Sequence, residues 1–129
     1  MESMIPQDKF DQRAIAALQL SSDAQVLERA GELLEWLRDS NWPIFTGISD
    51  RLSPLGVDLV SPIKDILEGD DSIWKANIIS HLIPSFSPEA QRLYTPLLEN
   101  LVAKLDQNDL MEGAIDFAEI QIGKAHANT

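Results

Sequence analysis

The stretch Leu33-Leu34-Glu35-Trp36-Leu37-Arg38-Asp39-Ser40-Asn41-Trp42-Pro43-Ile44 limits most strongly what this chain can fold into. It closes an apolar helix, turns over a short polar corner and opens a second helix at a Trp-Pro step. Leu33, Leu34 and Leu37 have the spacing of one helical face. Pro43 suits a first helical turn, where a missing N–H costs nothing. The same order of helix, acidic corner and helix recurs twice further on. The corner acids Asp39, Asp70 and Asp106 stand 31 and 36 residues apart, and Pro62 and Pro96 stand 34 apart. Periods of that size built from helix pairs mark a solenoid, in which each pair covers its neighbour's apolar face. The expected fold is all-α, an α-α superhelix of HEAT-like helical repeats. About seven helices would form three stacked hairpins plus an N-terminal helix, in one domain over residues 1–129.

The individual helices follow from periodicity and punctuation. Asp8 to Leu20 reads as a first helix, with Phe10, Ala14, Ile15 and Leu18 on one face. Ser22-Asp23-Ala24-Gln25 fits a capping box and starts a second helix that runs to Asp39. Asn41 is placed to cap the third, which buries Ile44, Phe45, Ile48, Leu52 and Leu55 and stops at Pro54 and Gly56. The fourth spans Val57 to Glu68, kinked at Pro62 or beginning at Ser61. Asp71 or Ser72 caps the fifth, where Trp74, Ile78 and Leu82 share a stripe that Pro84 ends. Ser87-Pro88-Glu89 opens the sixth, and Thr95-Pro96 predicts a bend near Tyr94. Asn108 caps the last helix, with Leu110, Met111, Ala114, Phe117 and Ala118 inward. Residues 1–7 and 124–129 are expected to be loose.

The repeat units resemble the HEAT repeat. Leu59-Val60-Ser61-Pro62-Ile63 is similar to its proline-bearing first helix, Asp70 or Asp71 to its corner aspartate, and Lys75 to the basic residue that opens its second helix. The first unit lacks the proline, and the last lacks the basic residue, as terminal units do. Across Leu33 to Leu105, Trp36-Leu37-x-Asp39-x-Asn41-Trp42-Pro43 is followed by Asp70-Asp71-x-x-Trp74-Lys75 and Leu82-Ile83-Pro84. Those blocks resemble domain-of-unknown-function family 5071, small bacterial all-helical proteins with HEAT-like repeats. The resemblance implies a fold and brings no activity, cofactor or catalytic residue.

Charge narrows the partners. Lys and Arg number 10 against 21 acidic residues, a formal net charge of −11. Such a field repels polyanions, so neither nucleic acid nor an anionic membrane is expected as a partner. It attracts and orients a basic protein. No run of apolar residues is long enough to span a membrane, and no signal-peptide pattern opens the chain, so a cytoplasmic location is expected. With no cysteine, disulfides and thiolate metal sites are excluded. His81 and His126 lie 45 residues apart, and no metal-binding histidine spacing, Walker loop or nucleophile elbow occurs. No catalytic residue, cofactor or metal is therefore expected. The carboxylate pairs Asp70/Asp71, Asp65/Glu68 and Asp106/Asp109 fall at helix ends, where capping and solvation account for them.

The candidate site is a polar groove. At 100° per residue, Thr46, Ser49, Asp50 and Ser53 turn away from the apolar stripe of the third helix. Asn77, Ser80 and His81 do so on the fifth, and Glu112, Asp116 and Glu119 on the last. Second helices line the concave face of such solenoids, so these residues would form one surface, polar at one end and acidic at the other. The bland alternative is a merely solvated face. His81 would make the groove pH-sensitive, or simply hydrogen-bond between helices. Trp74 is expected in the core. Trp36 and Trp42, on stripe edges beside the corner acids Asp39, Asp70 and Asp71, either pack between repeats or anchor a partner. The expected role is a protein-binding module, in its sharpest form an immunity protein that neutralises a basic bacterial toxin. A general interaction scaffold or an unrecognised enzyme is the alternative.

Overall fold

A computed structural model of the chain describes residues 3–127. Met1, Glu2, Asn128 and Thr129, which fall in the two segments expected to be loose, lie outside the described residues. Every regular element among the described residues is helical, so the all-α expectation holds. In order these are α1 (Gln12–Leu20), α2 (Asp23–Glu28), α3 (Ala30–Glu35), α4 (Phe45–Leu52) and α5 (Val60–Leu67). They are followed by α6 (Ser72–Asn77), α7 (Pro88–Lys104), α8 (Gln107–Met111) and α9 (Ala114–Ala127).

Local capping rules decide several boundaries. Ser22 accepts the Gln25 N–H while the Gln25 side chain accepts the Ser22 N–H, a complete capping box on α2. Asp71 accepts from the Trp74 N–H to start α6, and Ser87 from the Ala90 N–H to start α7. Other boundaries differ from expectation. Asp11 caps α1, which leaves Phe10 outside the helix and 63% exposed. The long second helix is broken at Arg29 (φ −114°, ψ 17°) into α2 and α3. Asn41 caps nothing: its own N–H donates to the Asp39 carboxylate, and α4 starts only at Phe45. Asp106 rather than Asn108 caps α8, with its carboxylate held by the Asn108 and Asp109 N–H groups. Gly113, at φ 88°, then separates α8 from α9. Pro96 lies inside a continuous α7. The tail after Gly123 continues α9 as far as Ala127.

Two connections are wound more tightly or more loosely than an α-helix. Ser53–Leu59 forms a 3₁₀ segment between α4 and α5. Ile78–Leu82 continues α6 as a π turn, in which the Ile83 N–H reaches the Ile78 carbonyl, five residues back. A short 3₁₀ turn, Ile83–Ser85, closes that run.

One apolar core joins these elements. Leu33, Leu34, Leu37, Ile44, Ile48, Leu52, Leu59, Ile63, Ile78, Leu82 and Tyr94 are all fully buried in it. The Tyr94 hydroxyl donates to the Gly56 carbonyl at 2.7 Å. Burial, with the nearby Asp58 charge as the lesser cause, raises its pKa above the ordinary tyrosine value. Gly56 is required there, because a Cβ would come within 2.6 Å of the Phe86 ring. α9 lies along α7 and against α6 and the π turn, and α4 also touches the π turn. The inward face of α9 is Ala114, Ile115, Ala118, Gln121 and Ala125. Leu110, Met111 and Phe117, expected inward, are exposed. Small side chains let α9 approach α7 closely, and the bulky residues are turned outward as a result.

Candidate functional site

Short α6 is the piece on which the surrounding surface is assembled. On one side Trp74 donates its indole N–H to the Leu34 carbonyl at 2.9 Å. Arg38 covers the Trp74 ring at 4.6 Å, a cation–π contact. Trp74 is consequently half-buried at the edge of the core rather than enclosed by it. Asn77 sends its side-chain amide to the carbonyls of Leu37 (3.1 Å) and Arg38 (3.0 Å). Asn77, chosen above as a free groove residue, is thus occupied in tying α6 to the corner after α3. On the other side Lys75 Nζ lies 3.1 Å from Asp109 Oδ2, both side chains buried, and Ser72 Oγ donates to the same carboxylate. Asp109 therefore belongs to a buried ion pair and not to a solvated helix end.

The expected groove residues fall into separate places. Thr46, Ser49, Asp50 and His81 line one recess of about 240 Å³ together with Ser40 and Phe45. Phe45 and His81 meet edge to face there, with centroids 5.2 Å apart. Ser49 is nearly enclosed in the floor of that recess rather than set on an open face. Ser53 shares a hydrogen bond with Ser85 (2.6 Å) and donates to the Ser49 carbonyl. Ser80 lines a second recess, of about 220 Å³, formed with Ile79 and Pro84 on one wall. Phe117, Ile120, Gln121 and Lys124 of α9 make the other wall. Glu112, Asp116 and Glu119 are exposed and line neither recess. A larger recess, about 330 Å³, lies between the end of α5 and α7 and holds none of the expected residues.

The corner candidates are also resolved. Trp36 and Trp42 are half-buried and pack on one another with centroids 5.5 Å apart. Asp39 accepts the Asn41 N–H, Asp71 caps α6, and Asp70 is exposed.

Gln121, in the wall of the second recess, ends a buried polar chain whose direction is fixed. Gln91 donates its amide to the carbonyls of Phe86 (2.8 Å) and Pro84 (3.2 Å). Two acceptors at that end require its NH₂ group there, so its oxygen must face Gln121. Gln121 accordingly donates to Gln91 Oε1 at 2.7 Å. The far oxygen, Gln121 Oε1, is buried and has no hydrogen-bond partner among the described residues. Beside it, Phe117 and Ile120 stand 38% and 55% exposed, and the acids Asp116 and Glu119 occupy the next strip of α9. Apolar periodicity placed Ala114 and Ala118 correctly on the inner face but took Phe117 with them, so the exposed strip was missed; Gln121 and Ala125 continue the inner face.

Among the described residues no group of three or more His, Asp or Glu is placed to hold a metal ion. No described helix is long and apolar enough to cross a membrane. The fold is thus an all-α domain with shallow surface recesses. Within that class the chain belongs to the DUF5071 family (domain of unknown function): the family model matches residues 4–121. No curated protein matches the chain.

Proposed function

We propose that this chain is a protein-binding module that grips a basic partner, in its sharpest form an immunity protein that neutralises a cognate bacterial toxin by direct contact. The observation that carries this reading is the outer face of α8 and α9. There the exposed apolar side chains Leu110, Met111, Phe117 and Ile120 are interleaved with the acids Glu112, Asp116 and Glu119. Apolar anchors bordered by like charges are the makings of a steered interface: the charges accelerate encounter, and the anchors hold the complex. A net charge of −11 extends the attraction beyond the contact itself.

The test is recovery of a partner from the native host by the wild-type chain and by the triple variant Glu112→Lys, Asp116→Lys, Glu119→Lys. The wild type should retain a strongly basic protein, and co-expression should protect cells from it. The triple variant should keep its melting temperature and associate at least tenfold more slowly at low salt. Equal association rates for the two proteins would overturn the acidic surface. A partner that harms no cell would leave an interaction scaffold in place of immunity.

A further inference from the structure

Polar side chains gather in the recess beside α4 without bonding to one another. Ser40, Thr46, Ser49, Asp50 and His81 line it with Phe45, and none of these five polar side chains makes a hydrogen bond or ion pair among the described residues. Serines elsewhere on the helices are occupied: Ser21 donates to the Ala17 carbonyl, Ser53 to that of Ser49 and Ser80 to that of Ala76, each four residues back. Ser49 has the Phe45 carbonyl at the same spacing and does not use it. Nor is its hydroxyl sealed from solvent, since among the described residues only Gln121 carries a buried polar side-chain atom without a partner. Thr46 lies three and four residues before Ser49 and Asp50, so the three share one side of α4. Ser40 joins them from the corner before α4, and His81 from the π turn.

The lining selects its guest by charge and shape. Asp50 is exposed there, and no Lys or Arg lines the recess. Arg51, its neighbour in the chain, is turned to the Asp23 carboxylate and the Ser21 carbonyl, while Arg38 lies over Trp74. An anion is repelled by Asp50 and by the net charge of −11. A neutral polar group leaves the carboxylate without a counter-charge. An ammonium matches the charge but is a compact, strongly hydrated point with three donors. A guanidinium carries five donors in one plane, able to meet a carboxylate and neighbouring hydroxyls together, and its flat face stacks on aromatic rings. We infer that this recess binds an arginine side chain of the partner protein, its guanidinium paired with Asp50, donating to the Thr46 and Ser49 hydroxyls and lying against Phe45 and His81. Arginine is also among the residues that most often anchor protein interfaces. This inference rests on the protein-binding reading above for the source of the arginine, and it adds a contact on α4 to the acidic face of α8 and α9.

The test is an NMR titration of the ¹⁵N-labelled full chain at physiological salt with three probes. These are N-acetyl-argininamide, N-acetyl-citrullinamide (nearly the same shape without the charge) and N-acetyl-lysinamide. The arginine probe should shift the Thr46, Ser49, Asp50 and His81 amides saturably. The citrulline probe should bind about tenfold more weakly, the worth of a charge-assisted hydrogen bond, and the lysine probe several-fold more weakly. Asp50→Asn should keep the melting temperature, because the side chain bonds to nothing in the fold, and should weaken the arginine probe about tenfold. Glu99→Gln, which removes the same charge from an exposed position on α7, should leave that affinity unchanged. Absence of saturable shifts, equal affinity for the citrulline or lysine probe, or equal losses in Asp50→Asn and Glu99→Gln would overturn the inference. Loss of partner recovery on reversal of Glu112, Asp116 and Glu119 without probe binding would sink the arginine site and leave the binding module standing. Saturable binding of the arginine probe with no partner recovered would keep the guanidinium site and sink the protein-binding reading.

Discussion

The two corners that α6 braces are held by different physics. Toward α3 the contact is made of rings and carbonyls: Trp74 on the Leu34 carbonyl and under Arg38, Asn77 on the carbonyls of Leu37 and Arg38, and Trp36 against Trp42. Toward α8 it is a buried charge pair, Lys75 with Asp109, fastened by Ser72. The first lies at the edge of the core, where Trp74 and Asn77 are half-buried and Arg38 is exposed, and it carries no charge pair to strand. The second is all or nothing, since either charge alone would be stranded in the interior. Similar acidic corners in a sequence can therefore conceal unlike degrees of fragility.

Four substitutions sharpen that contrast, taken from largest effect to smallest. Lys75→Met should destabilise by about 3–5 kcal/mol in chemical denaturation, because it leaves a buried carboxylate unpaired. Combining it with Asp109→Leu should restore most of the loss, whereas additive losses would show that the pair is not coupled. Trp74→Ala should cost about 2–4 kcal/mol, below the range for a fully enclosed aromatic because its ring is half-exposed. A larger loss than that of Lys75→Met would invert the ranking of the two corners. Asn77→Ala should cost about 1–2 kcal/mol, the value of amide bonds to carbonyls at a partly wet edge, and should leave Lys75→Met additive to it.

What was legible in the sequence divides along the same line. Caps depend on residues three apart, so Ser22, Asp71 and Ser87 disclosed their helices locally. The stripes of α3, α4 and α5 were equally plain, since Leu33, Ile48 and Ile63 belong to regular apolar periods. Asp109 was not, because its character depends on Lys75, 34 residues earlier, and nothing near it in the chain signals burial. The face of α9 was legible in part: Ala114 and Ala118, expected inward, are buried, whereas Phe117, expected beside them, is exposed. Of the ten residues read as one groove, Thr46, Ser49, Asp50 and His81 share a recess and the others lie elsewhere. Asn77 was misassigned because a side-chain amide reaching a carbonyl forty residues away leaves no periodic trace.

The π turn has a geometric effect that outlasts its own five residues. A coil that closes its bond five positions back rather than four takes in one residue more than the helix before it needs, and each residue carries about 100° of rotation. Ile79 and Ser80 of the turn and Pro84 just beyond it line the recess that faces α9.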